Sequence, residues 1–155
     1  MNISDIISPD RVICDADVSS KKKVLEQLSD MLASNSAATL VSQDVVDSLI
    51  ARERLGSTGI GYGVAIPHGR VKNTDHAIAA FVQLHEGIDY DAADDQAVDL
   101  LFALLVPEES TSEHLQLLAQ LAEMFSDEAF RDKLRATKDR EAIYNLLSSW
   151  KKKDS

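Results

Sequence analysis

Apolar residues along the chain follow two different periods. Val24, Leu25, Leu28, Met31 and Leu32 recur at helical spacing behind Ser19 and Ser20, either of which suits an N-cap, so a helix is predicted to about residue 34. Ser42 stands at the next N-cap position, ahead of Val45, Val46, Leu49, Ile50 and Leu55, and Gly56 should end that helix. Residues 11–14 read as extended. Val64-Ala-Ile66 reads as a short strand interrupted by Pro67. Residues 77–84 and 98–106 are further strands, the second apolar at nearly every position, as in a central strand covered on both faces. Between them 87–96 is polar and acidic and reads as an exposed turn with a short edge strand near Ile88. Ser110 and Glu113 have capping-box spacing, and the helix they start carries Leu115, Leu118, Leu121, Ala122 and Phe125. Two shorter helices follow, at 128–135 and 140–150, before a tail at 151–155 expected to fray. Helices before and after a compact set of strands indicate an α/β sandwich. Without an internal repeat or a long linker, 1–155 is expected to be one domain.

Composition narrows this picture. With 155 residues, 45% hydrophobic and 27% charged, the chain can bury one real core. Acidic residues outnumber basic ones 26 to 16, for a formal charge of −10, which disfavours nucleic acid as a partner. The longest apolar run, 100–106, has seven residues. A membrane helix needs about 20. The start of the chain lacks the basic and apolar regions of a signal peptide, and Cys14, the single cysteine, excludes an internal disulfide and a cysteine zinc site. These features fit a cytoplasmic protein without membrane insertion.

The chemistry concentrates in Gly56-Ser-Thr-Gly-Ile-Gly-Tyr-Gly-Val-Ala-Ile-Pro-His-Gly-Arg70, which holds five of the six glycines. A P-loop would need Lys and then Ser or Thr after its last glycine, but Tyr62 follows Gly61. A dinucleotide fingerprint would need glycine where Val64 stands, and both motifs should open a helix. The residues alone leave a structural turn and a ligand-shaped loop equally open.

Of the four histidines, His76 and His85 lie in polar surroundings and read as exposed loop residues. His68 sits between a proline that fixes the backbone and a glycine that frees it. That suits a ligand-facing imidazole, although a turn histidine is the commoner case. His114 falls in the first turn of its helix, on one face with Leu118, Leu121 and Phe125. It reads as a partly buried core histidine, kept neutral by the positive helix end and able to donate to an anion. Arg52, Glu53 and Arg54 point in different directions on a helix, so at most one arginine faces a site.

The run from Arg52-Glu-Arg-Leu to Ile-Pro-His-Gly-Arg70 resembles the signature of the mannitol/fructose-type enzyme IIA domains of the bacterial phosphotransferase system. The likeness continues through Phe81-Val-Gln-Leu84, Val98 to Pro107 and His114-Leu, and it is strongest to the nitrogen-regulatory branch. Tyr62 departs from the small polar residue expected there, and Arg70 replaces a more usual lysine. The resemblance implies a mixed, largely parallel sheet with helices on both faces. It implies that His68 accepts a phosphoryl group on Nε2, that His114 and Arg52 stabilise it, and that Ser57, Thr58, Gly59, Gly61, Gly63 and Gly69 form a phosphate-binding loop. It implies no metal and no cofactor. The implied donor is an HPr-like phosphocarrier (NPr), and the implied targets are regulatory, such as potassium transporters or sensor kinases. The alternative is a sugar-transport enzyme IIA relaying phosphate to a separate IIB component.

Overall fold

A computed structural model describes residues 2–34, 40–109 and 112–151. Two of its strands organise the rest. The 98–106 run forms β6 (Val98–Pro107), which pairs antiparallel along β5 (Ile78–Ile88). Outside β5 lies β1 (Val12–Ala16), parallel to it. On the other side of β6 run β3 (Val64–Ala65) and β4 (His68–Val71), both parallel to β6, and β2 (Gly59–Gly61) closes that edge antiparallel to β3. The sheet is therefore mixed. β3 and β4 continue one line along β6, broken where Pro67 lacks an N–H to give. The Pro67 carbonyl still accepts from Leu104 N at 2.9 Å.

Helices cover both faces. Phe81, Leu100, Phe102 and Leu104 point to one side, against Leu117, Leu121, Met124 and Phe125 of α3 (Ser112–Phe125) and the apolar residues of α4 (Glu128–Ala136) and α5 (Arg140–Ser149). Ala80, Val82, Leu101, Ala103 and Leu105 point to the other, against α1 (Lys21–Ser34) and α2 (Ser42–Glu53). Alternate residues of two continuous apolar strands thus serve two cores, as the period-2 pleat requires. No described helix is long and apolar enough to cross a membrane.

One capping expectation holds and several others change. Ser20 caps α1, with Lys23 N donating to its hydroxyl at 3.2 Å. In α2 the capping position is Val41, and the Ser42 hydroxyl bonds Asp30 instead. Leu55 lies past the end of α2 and is exposed, because the helix stops at Glu53. Leu115 is also exposed: α3 buries Leu117, Leu121, Met124 and Phe125, so Leu121 and Phe125 of the predicted face are buried, Leu118 is half-buried and the N-terminal part of the stripe shifts to Leu117. The acidic stretch 87–96 is not a simple exposed turn. Ile88 still belongs to β5, and Tyr90 and Ala92 are buried against α1 and α2. The expected Ser110–Glu113 cap and the tail beyond residue 151 lie outside the described residues.

Candidate functional site

His68 opens β4, and its position is set by α2. Gly69 has no side chain, so Ser48 of α2 can lie against its backbone. The Ser48 hydroxyl accepts from Arg70 N and donates to Arg70 O, both at 2.9 Å, and so takes the place of a neighbouring strand at this edge. One helical turn after Ser48, on the same face, comes Arg52. Its Nε donates to His68 Nε2 at 3.2 Å and its Nη1 donates to Gly56 O at 2.9 Å. Arg54 points to solvent.

These contacts fix the imidazole. A guanidinium can only donate, so Nε2 must be the acceptor nitrogen and Nδ1 carries the proton. Nδ1 accordingly donates to the Ile66 carbonyl at 2.9 Å. Burial pushes the His68 pKa below the usual histidine value, the Ile66 hydrogen bond opposes the shift, and the Arg52 charge adds to it. The ring is thus held neutral, with its one lone pair on Nε2.

His114, in the first turn of α3, brings its ring centroid within 5.6 Å of that of His68. It is 7% exposed, and among the described residues its Nδ1 has no hydrogen-bond partner. Burial is the main cause holding its pKa below the usual value, followed by the neighbouring His68, with which it would have to share any positive charge, and by the Arg70 charge. Two neutral imidazoles and one guanidinium therefore converge from three separate elements. The arrangement offers a nucleophilic nitrogen beside a fixed cation and a buried, unpaired ring nitrogen, which is what a transferable oxyanion requires. Among the described residues no group of three His, Cys, Asp or Glu side chains could hold a metal ion.

The glycine-rich loop divides. Ser57 donates to Tyr90 O, and Gly59 N donates to the Ser57 hydroxyl. Thr58 spends both its N–H and its hydroxyl on Glu53. Gly61 and Gly63 lie at the far end of the sheet: Val64 pairs with Leu100 and His68 with Leu104, which puts them about 13 Å or more down the strand. Of the loop glycines, only Gly69 adjoins His68. Sequence reasoning missed Glu53 itself. The available signal is its spacing: it continues the buried stripe Val45–Leu49 by one more turn, so a carboxylate sits where a core residue is expected.

His76 and His85 stay apart from this site, exposed and paired with Asp75 and Asp15.

Known proteins repeat this chain nearly end to end. A nitrogen regulatory protein of Pseudomonas aeruginosa is 42% identical over 147 residues, 95% of each chain. The crystal structure of nitrogen regulatory protein IIA-Ntr from Neisseria meningitidis superposes with a TM-score of 0.88 at 41% identity, covering 94% of this chain and 98% of that one. IIA mannitol from Escherichia coli shares the fold at 22% identity and a TM-score of 0.74, over 90% of this chain and 97% of that one. The profile of the phosphoenolpyruvate-dependent sugar phosphotransferase system, EIIA 2, matches residues 5–150. The chain belongs to the EIIA 2 family of the phosphotransferase system.

Proposed function

We propose that this protein is a regulatory phosphocarrier, which takes a phosphoryl group from an HPr-like donor of the NPr kind onto His68 Nε2 and signals through its phosphorylation state. The observation that carries the reading is the clamped His68 ring: Nδ1 on Ile66 O, Nε2 under Arg52, and His114 alongside. The regulatory part rests on similarity along nearly the whole chain to nitrogen regulatory proteins; potassium transporters and sensor kinases enter as targets only through the family resemblance.

The step is an in-line exchange between two nitrogens. The His68 Nε2 lone pair forms a bond to phosphorus while the donor's N–P bond breaks and its electrons return to the donor imidazole. The Nδ1 proton stays on the ring, donated to the Ile66 carbonyl, so the phosphorylated ring carries a positive charge; the donor ring, protonated on its other nitrogen, leaves as neutral imidazole, and charge and protons balance. Arg52 gives up the Nε2 lone pair and follows the charge onto the phosphoryl oxygens. His114 donates from the other side. Transfer between imidazoles of similar basicity is nearly balanced in energy, so alignment and charge stabilisation are what the protein must supply. At the surface the new dianion alters an interface by local electrostatics, which is how one site can report to several partners.

The test is label transfer from a phosphorylated HPr-like donor. Wild-type protein should take up one acid-labile phosphoryl group, and His68→Ala none; labelling of His68→Ala at the normal rate removes the reading. Binding to target proteins should then differ between His68→Ala and the phospho-mimicking His68→Asp. Rapid discharge to a sugar-specific IIB component would instead make the protein a transport relay.

A further inference from the structure

Next to Arg52, at the last position of α2, a carboxylate is buried in the α1–α2 core. The Glu53 side chain is 5% exposed, and both its oxygens are fully used. Oε1 accepts from the Tyr90 hydroxyl at 2.9 Å and from the Thr58 hydroxyl. Oε2 accepts from Thr58 N at 3.2 Å and pairs with Lys21 Nζ at 2.9 Å. Lys21 also lies 4.4 Å from the centre of the Tyr90 ring and donates to Tyr90 O. These groups come from the start of α1, the end of α2, the glycine-rich loop and the 89–97 connection. A buried charge is tolerable only when paired and hydrogen-bonded. Here the pairing ties four segments to one carboxylate, at the point where α2 hands over to the loop.

The consequence reaches His68 through Arg52. The Arg52 guanidinium is anchored at Gly56 O, and residues 54–57 form the short arc between the two groups Glu53 joins, its own backbone and Thr58. Arg52 is thus held from both sides of the arc that Glu53 closes. An apolar residue would fill the stripe after Leu49 equally well for packing, but it would leave Thr58 N and the Tyr90 hydroxyl without their acceptor, so the carboxylate is there to hold these segments together.

We propose that Glu53 is a positioning residue for the phosphoryl site: with Lys21, Thr58 and Tyr90 it fixes the arc 53–58 and thereby holds the Arg52 guanidinium on His68 Nε2. The proposal rests on the phosphocarrier reading for its kinetic consequence, while its geometric part stands apart from it. A 1 Å misplacement of a charge-stabilising group costs up to about a hundredfold in rate, so Glu53→Gln should slow transfer within the donor complex by about tenfold or more and leave donor affinity within about twofold. Thr58→Val and Tyr90→Phe, which each remove one donor and keep the shape, should slow it about threefold.

The decisive measurement is a double-variant cycle with Arg52→Ala. A residue acting through Arg52 adds nothing once Arg52 is gone, so Glu53→Gln/Arg52→Ala should transfer no more slowly than Arg52→Ala alone. A folded Glu53→Gln protein with wild-type transfer, or a loss that multiplies that of Arg52→Ala, overturns the proposal. Should Glu53→Gln fail to fold, Thr58→Val and Tyr90→Phe are put through the same cycle and decide by the same criteria. The 15N shift of His68 Nε2 in unphosphorylated protein gives a readout free of any transfer. In Glu53→Gln it should move towards its Arg52→Ala value, and an unmoved shift overturns the proposal. If His68→Ala still takes label, the phosphocarrier reading falls, and this shift still decides whether Glu53 places Arg52.

Discussion

The glycine-rich segment 56–70 ends in two unlike places. At its His68 end, charge and lone pairs are left available: Nε2 holds only a long bond from Arg52, and His114 Nδ1 is buried without a partner among the described residues. At its Tyr62–Gly63 end the polar groups are consumed. Arg135 Nη2 donates to Tyr62 O at 2.5 Å and pairs with Asp99 at 2.9 Å, and the Arg131 guanidinium lies 4.2 Å from the Tyr62 ring centre. Both ends contain an arginine against a strand end. Arg135 is matched by the Asp99 carboxylate, whereas among the described residues Arg52 has no carboxylate partner and faces a histidine. The difference separates a site that does chemistry from a turn that is tied down, although both are written in the same glycine-rich idiom.

The sharpest way to break this comparison is to remove the unmatched arginine. Arg52→Ala should lower the rate of phosphoryl uptake about a hundredfold to a thousandfold, as for loss of one charge-stabilising donor. Thermal stability should change little, since the side chain is only half buried. Its pH profile should also move. The Arg52 charge helps to lower the His68 pKa, so without it uptake should begin to fail at higher pH.

The reverse pattern is expected at the other end. Gly63 adopts φ +78°, and a Cβ there would come 2.5 Å from Arg135 Nη2 and 2.9 Å from Asp99 Oδ1. Gly63→Ala should cost about 2 kcal/mol of stability, read by denaturant unfolding, with transfer per folded molecule unchanged. A loss of transfer without a loss of stability would join the two ends into one site.

The histidines extend the contrast. Loss of the His114 donor in His114→Ala should slow transfer about tenfold, the worth of roughly one hydrogen bond of 1.4 kcal/mol. The pKa of His68 is depressed chiefly by burial, so below its ordinary value of 6.5 the unfolded chain binds a proton that the folded ring refuses. Uptake should therefore persist below pH 6.5 and fade as pH falls through the depressed value, whereas the ring's contribution to stability is full only above 6.5 and declines from there until the depressed value is passed. His85, whose pKa is raised by its hydrogen bond to Asp15, should behave in the opposite sense. Its contribution is full at low pH and fades as pH rises. NMR titration of the His68, His114 and His85 rings separates the two classes.

Much of this was legible in the sequence wherever one physical signal acted alone. The buried stripe of α1 is the one its spacing predicts, and β6 is apolar throughout because both its faces are covered. Legibility failed where two signals overlapped. α3 is rich enough in leucine to carry two helical stripes, and contact with the sheet, not spacing, selects Leu117 over Leu115. The connection after β5 is acidic enough to read as solvent-exposed, yet Tyr90 and Ala92 turn inward between charged neighbours. Those two inward residues let Tyr90 reach Glu53, so misreading one loop hid the support of the site. The glycines left two readings open, a structural turn and a ligand-shaped loop, and in the fold Thr58 N and Gly59 N both donate within the protein.

The smallest predicted effect tests the tied-down end most directly. Asp99 and Arg135 are partly exposed, with side chains 27% and 33% accessible, so their ion pair is worth about 1 kcal/mol or less. Asp99→Asn keeps the shape and an acceptor oxygen while removing the charge. It should lower stability by less than Gly63→Ala does, and that loss should shrink further at high salt, where exposed pairs are screened. Arg135 still holds Tyr62 O in that variant, so the turn stays formed and transfer at His68 stays at its wild-type rate. If removing this remote charge instead changed transfer, Arg135, released from its carboxylate, would be acting across the length of β6, and the division between a reactive end and a structural end would not hold.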